Sequence, residues 1–280
     1  MQERSPPKRP PRGELYVELE GCVLRAELCG RGEPVLMIQG VGVSGSGWRP
    51  QVDALAPHFS TIVYDSRGLG GSVPNRAVVD VPRLAADAAE LLTAANCAAA
   101  HVVGHSLGGL VALELALAAP ERVKSLALLC TFANGRQVAP LTRRMLWLGL
   151  RSQLGTRAMR RRGFLGLVMP PGPIADAERR AHEIGELFGH DLADTPRAAR
   201  EQLRAMRRSD VSARLRELIG IRSLVVSAEH DPIAPPALGR ALAAGLRAKY
   251  VEIAGASHGL PITHATRVND LLVEHWRYGV

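Results

Sequence analysis

Apolar and polar positions along this chain change rhythm twice. From Glu14 to Cys130, short apolar runs of strand length alternate with stretches at helical spacing, the pattern of a mostly parallel sheet wrapped by helices. Val35 to Gln39 and Ala100 to Val103 read as strands, and Leu110 to Ala119 as a helix. Asp80 to Ala95 also reads as a helix, with Asp80 as its cap and Pro82 in its first turn. Between Cys130 and Ile221 the alternation stops. Roughly 90 residues there read as helices broken at Gly163, at Pro170-Pro171-Gly172-Pro173 and at Pro196. Strand patterns return at Ile221 to Ala228 and Tyr250 to Ile253, and a helical pattern follows through Val273 and Trp276. The expected fold is α/β. Residues 1–12 are expected as a flexible basic tail, 13–131 and 221–280 as the core, and 132–220 as a helical cap inserted before the last two strands.

Composition narrows the class. A chain of 280 residues with 46% hydrophobic content can bury about three quarters of its unfolded surface in one large core. It has no run of 18 apolar residues, and Met1 to Arg12 lacks the apolar stretch of a signal peptide or membrane anchor. Cys22, Cys29, Cys97 and Cys130 lack metal-ligand spacing, and the first two lie too far apart along one strand-like run to bond. Reduced, buried thiols imply a cytoplasmic protein. The net charge of +8 comes almost wholly from scattered arginines, and aromatics are only 4%, which argues against nucleic-acid binding. Arg157, Arg160, Arg161 and Arg162 read as a solvated helix face, with attraction of acidic substrates as the alternative.

The chemistry concentrates at Gly104-His105-Ser106-Leu107-Gly108-Gly109, between a strand-like and a helix-like run. Glycine is 28 of 280 residues, so a serine is flanked this way by chance about once in 100, and the motif needs partners before it carries weight. Such a turn is sharp enough to exclude a Cβ two places either side of the serine, and it presents the hydroxyl beside a helix N-terminus. Serine is a weak nucleophile until a base takes its proton and a third group orients that base. Asp231 follows one strand-like run and His258 the next, so in an open parallel sheet both reach the same edge as Ser106. Asp231 is preferred over Glu229 as the acid. His258 is preferred over His264 and His105 as the base.

Val41 and Leu107 are the expected N–H donors to an oxyanion, Val41 because Gly40-Val41-Gly42 follows an earlier strand. Gly40, Trp48, Trp147, Phe164 and Met169 are candidates for the substrate pocket. Met145, Leu146, Leu150, Leu165, Leu167, Val168 and Phe188 complete an apolar set expected to pack on the core or line that pocket. A competing pattern exists. Gly40, Gly42 and Gly45 also spell GxGxxG after a strand, with Asp65 a further 20 residues on, which is the fingerprint of a nicotinamide-dependent oxidoreductase. The helix that should open at Gly45 is delayed to about Trp48, and that reading leaves Ser106, Asp231 and His258 without work.

With these residues assembled, the chain resembles the α/β-hydrolases, in particular the branch carrying a helical lid. The resemblance runs from Leu15 to Trp276. It includes Asp65-Ser66-Arg67-Gly68-Leu69-Gly70-Gly71-Ser72, similar to that branch's DxRGxGxS turn, and the acid loop Ser227 to Pro236. Asp65 and Arg67 are expected to shape the loop beside the site. Gln39-Gly40 stands where the family often has His-Gly. Serine at 106 argues against the dehalogenases and epoxide hydrolases of the family, which place aspartate there. What remains is a serine esterase, lactonase or thioesterase, with carbon-carbon bond hydrolases, cofactor-free perhydrolases and noncatalytic receptors on the same fold as alternatives. The resemblance implies a small-molecule acyl substrate, with neither cofactor nor metal.

Overall fold

The computed structural model describes residues 12–73, 76–137, 147, 150, 153–170 and 176–277. Eight strands form one sheet: β1 (Arg12–Leu19), β2 (Cys22–Cys29), β3 (Glu33–Ile38), β4 (Phe59–Tyr64), β5 (Ala100–His105), β6 (Val123–Leu129), β7 (Ser223–Ala228) and β8 (Lys249–Ile253). Their order is β1-β2-β4-β3-β5-β6-β7-β8, with β1 and β2 antiparallel to their neighbours and every later pairing parallel. Cys22 and Cys29 are the two ends of β2 and are unbonded.

The central strands are apolar without interruption because both faces are covered. Along β3, Leu36 and Ile38 join one buried cluster while Val35 and Met37 join the other; along β6, Leu126 and Leu128 part from Ala127 and Leu129 in the same way. The first cluster packs under α2 (Val81–Ala94), α3 (Leu107–Ala118) and α7 (Pro236–Leu246). The second packs under α1 (Arg49–Leu55) and α9 (Ala265–Arg277), which follows a single turn, α8 (Leu260–Thr263). Each fully buried leucine or valine contributes about 1.5–3 kcal/mol relative to exposure. Asp80 caps α2 by accepting the Arg83 N–H at 2.8 Å, and Pro82 sits in the first turn where no N–H is needed.

Between β6 and β7 lies the helical insertion, with α4 (Arg157–Val168), α5 (Ala177–Phe188) and α6 (Arg197–Arg208). It has its own small core of Leu165, Ala181, Ile184 and Leu192, against which Phe164, Met169 and Phe188 pack. The basic cluster is more committed than a solvated face: Arg157 reaches Asp191 and Asp194, and Arg161 reaches Asp191 and Glu178. The Arg161 guanidinium holds the Asp191 carboxyl well below the usual carboxylate range. The expected basic tail lies outside the described residues except for Arg12, which opens β1, and Met145, Leu146 and Pro171-Gly172-Pro173 lie outside them too. Among the described residues no helix is long and apolar enough to cross a membrane.

The strand order reverses at the centre. The chain runs from β3 to β4 on one side, then crosses back to place β5 on the other side of β3. The crevice at the carboxyl ends of β3 and β5 is therefore where loops diverge and leave room for a ligand. Ser66 to Ser72 sits on a rigid base nearby: Arg67, with no exposure, pairs side-on with Asp87 of α2 at 2.7 and 2.6 Å. Removing either partner would strand a buried charge, at a cost of about 3–5 kcal/mol.

Burial lowers the pKa of His105 from 6.5 to about 3 and that of His275 from 6.5 to about 4. Below pH 6.5 the unfolded chain binds these protons and the folded chain does not, so acidification favours unfolding. Stability is expected to fall from pH 6.5 towards 4 by up to about 1.4 kcal/mol per pH unit for each of these two groups. Urea titrations across this range test it. His275→Leu should flatten the slope relative to the parent chain.

Candidate active site

Ser106 stands between β5 and α3 with φ 55° and ψ −119°, a conformation an L-residue adopts only under constraint. The glycines around it explain how the chain closes there. A Cβ on Gly104 would come within 2.3 Å of the Gly108 carbonyl oxygen, and one on Gly108 within 2.0 Å of the Ile38 oxygen. Thr131 donates its hydroxyl to the Ser106 carbonyl at 2.6 Å. The turn is held from both sides. Leu107 is the first residue of α3, so its N–H has no carbonyl one turn earlier in the helix to bond. Gly40 brings the β3 loop against the same point, since a Cβ on it would lie 3.1 Å from Ser106 Cβ. Neither the Leu107 nor the Val41 N–H has an acceptor among the described residues.

Asp231 follows β7 and His258 follows β8. The His258 Nε2 lies 3.1 Å from Ser106 Oγ, and its Nδ1 lies 2.8 Å from Asp231 Oδ2. All three side chains are buried. The second Asp231 oxygen accepts the N–H groups of Ile233 and Ala234 at 2.8 and 2.9 Å, which fixes the carboxylate before the imidazole arrives. Glu229 is elsewhere: half-exposed, it accepts the Gly255 N–H at 2.8 Å and so braces the histidine loop. His264 is half-buried and bonds Thr263 Oγ1 at 3.0 Å, away from Ser106.

His105 lies beside His258. Its Nε2 donates to the His258 carbonyl oxygen at 2.9 Å, and the two rings lie 4.9 Å apart between centroids. With its pKa at about 3, this ring is neutral and sets no positive charge against a protonated His258. Cys130, fully buried at φ 47°, lies below, and burial pushes its thiol up. Ligand atoms of His105, Cys130 and His258 fall within 4.8 Å of one another. Both His258 nitrogens face Asp231 and Ser106, however, so a metal there would have to displace existing bonds.

A cavity of about 270 Å³ opens over Ser106, between the core and the insertion. Gly40, Val41, Ile233 and Ile262 line it from the core, and Phe164, Leu167, Phe188 and Leu203 from the insertion. Phe164 and Phe188 meet edge to face at 5.6 Å. Three pocket expectations need correction. Trp48 is fully buried in the core under the sheet, where its large apolar surface is better hidden than in a cavity wall. Trp147 is 55% exposed on the outside, and Met169 packs on the insertion's own core; neither lines the cavity. The dinucleotide pattern also dissolves. Asp65, buried, accepts the N–H groups of Gly45 and Gly71 at 2.8 and 2.9 Å, so the acid that should meet a ribose is spent on joining the β3 loop to its own.

A serine on a strained strand-to-helix turn, within hydrogen-bond reach of a histidine–aspartate pair at the switch point of a mostly parallel sheet, is the triad-like arrangement of an α/β-type hydrolase. The chain belongs to the alpha/beta hydrolase family, which it matches over residues 35–271. It is similar to the protein named "Putative carbamate hydrolase RutD" of Azorhizobium caulinodans, 30% identical over 88% of this chain and 92% of that one. The protein of the same name from Variovorax paradoxus is 33% identical over 87% and 91%. Among solved structures it is similar to the enol-lactonase of Burkholderia xenovorans LB400, with TM-score 0.77 and 26% identity over 93% of this chain and 98% of that one.

Sequence reasoning missed four supports of the site: Asp87, the partner of Arg67; Thr131; and His190 and Gln202, which reach the Val41 loop from the insertion. None sits in a recognisable motif, and each is far in sequence from what it holds.

Gly108→Ala is expected to destabilise the fold by on the order of 2 kcal/mol or more, because backbone rather than a mobile side chain blocks the new methyl. Gly220→Ala, with no atom within 4 Å of the added carbon, serves as the near-neutral control. Chemical denaturation of both variants measures the difference.

Proposed function

We propose that this protein is a serine hydrolase that cleaves a carboxylic ester or related acyl bond, whether ester, lactone or thioester. The observation that carries the reading is the continuous hydrogen-bonded series from Ser106 through His258 to Asp231 at the mouth of an apolar cavity. Ser106 Oγ attacks the carbonyl carbon as His258 Nε2 takes its proton. Asp231 steadies the imidazolium through Nδ1–H. The N–H groups of Val41 and Leu107 hold the oxygen as it gains negative charge. His258 then returns the proton to the leaving group, the tetrahedral intermediate collapses to an acyl-enzyme, and a water deprotonated by His258 releases the acid.

Apolar walls such as Phe164, Leu167 and Phe188 favour a hydrocarbon acyl group over a small polar one. The name of the RutD relatives makes carbamate cleavage the second reading, since a carbamate carbonyl is open to the same attack. Carbon-carbon bond cleavage and perhydrolysis would use the same three side chains, and no feature of the cavity favours either.

A fluorophosphonate probe is expected to label Ser106, as mapped by mass spectrometry. Ser106→Ala should lower hydrolysis of p-nitrophenyl butyrate by at least about 10⁴-fold with the melting temperature unchanged. Asp231→Asn should cost about 10³-fold or more, and Glu229→Gln less than about 3-fold. Undiminished turnover in Ser106→Ala would remove the serine from the mechanism. A panel of ester, lactone, thioester and nitrophenyl carbamate then ranks the acyl bonds.

A further inference from the structure

The loop that carries Val41 shares four hydrogen bonds with the insertion. The Gly42 N–H donates to Gln202 Oε1 of α6 at 2.8 Å, and the Gly42 carbonyl accepts from His190 Nε2 at 2.8 Å. Two residues on, the Ser44 N–H donates to the Phe188 carbonyl at 3.2 Å and the Ser46 hydroxyl to the Leu187 carbonyl at 2.8 Å. Gly42 has φ 74°, and a Cβ there would lie 3.1 Å from the Ala199 methyl, so α6 rests directly on this turn. Gln202 is 1% exposed.

A glycine at positive φ has a wide choice of backbone states, and an oxyanion donor is useful only if it already points at the developing charge. Both polar groups of the residue following Val41 are fixed by side chains from the insertion, while the core holds the far end of the loop through the Gly45 N–H on Asp65 Oδ1 at 2.8 Å and the loop closes on itself through the Val43 N–H and the Gly40 carbonyl at 3.4 Å. Within the loop the Gly40 N–H meets only its neighbour Gln39 Oε1, at 3.3 Å. We propose that Gln202 and His190 are positioning residues that set the Val41 N–H, so that the insertion is part of the transition-state binding site as well as a wall of the acyl pocket. The proposal rests on the serine-hydrolase reading above. It gives the insertion a part in kcat, where a wall alone would act on KM.

The test uses the full chain with Gln202→Met, which keeps length and removes the acceptor. The readouts are kcat and KM for p-nitrophenyl butyrate and the inhibition constant of butaneboronic acid, which forms a tetrahedral anion on an active serine. Binding of butyramide, a neutral ground-state analogue, is the comparison. Expected are a 10- to 100-fold drop in kcat, about the cost of displacing a reacting group by up to an ångström, with KM within about 2-fold. Boronate binding should weaken by at least about 10-fold while butyramide binding holds. His190→Leu should give the same split, and His190→Gln, whose amide can donate at similar reach, should recover most of the loss. If Gln202→Met does not fold, the two His190 variants decide alone. Unchanged kcat, or a rise in KM alone, in fluorophosphonate-reactive variants would overturn the positioning role and leave the hydrolase reading intact. Failure of the unaltered chain to react with fluorophosphonate would overturn both.

Discussion

The left-handed backbone at Ser106 is the constraint on which the rest of the structure depends. A residue with a side chain resists φ 55°, so the turn persists only because its surroundings leave no alternative. Gly104 and Gly108 allow β5, α3 and the end of β3 to approach within contact distances that a methyl group would forbid, and Thr131 holds the serine carbonyl from β6. The strain aims the hydroxyl at the crevice and puts the first turn of α3 beside it. Everything with chemical content is then organised around one point at the carboxyl edge of the sheet.

Charge around that point is handled by committing each polar group. The Asp231 carboxylate has both oxygens engaged, one by backbone N–H groups and one by His258. His105 lies against His258 but stays neutral, because burial outweighs every attraction that would protonate it. The ring therefore supports the His258 backbone without opposing an imidazolium. Asp65 and Arg67 are treated likewise: one joins the β3 loop to its own and the other is locked on Asp87, so neither reaches the cavity with an unmet charge.

The insertion and the core are joined at the two loops that matter most. Besides the bonds to Gly42, Ser44 and Ser46, the last carbonyl of α4, at Val168, accepts the Gly259 N–H at 2.7 Å, one residue beyond His258. The apolar cavity lies between these anchors. Its aromatic wall at Phe164 and Phe188 spans α4 and α5, which Arg161 of α4 joins through Glu178 of α5 and Asp191 just beyond it. A change of shape in the insertion would therefore be felt at both loops together.

Periodicity was enough to place β3, β5, β7 and β8, the Asp80-capped helix and the break in alternation where the insertion begins, because hydrophobic spacing follows directly from which face of an element is buried. The local demands of the turn at Ser106 were legible for a similar reason, since only glycine fits positions 104 and 108. Asp231 and His258 could be read from their places after successive strands. Trp48, Trp147 and Met169 could not, because spacing says how apolar a position is and not which of two apolar environments will take it; the indole of Trp48 went under the sheet. The partnerships of Arg67 with Asp87, and of Gly42 with His190 and Gln202, likewise join residues from about 20 to 160 positions apart with no motif between them. Local chemistry thus determined the elements and the turn at Ser106, while the packing of the insertion onto the β3 loop, a long-range event with no local signature, decided what surrounds them.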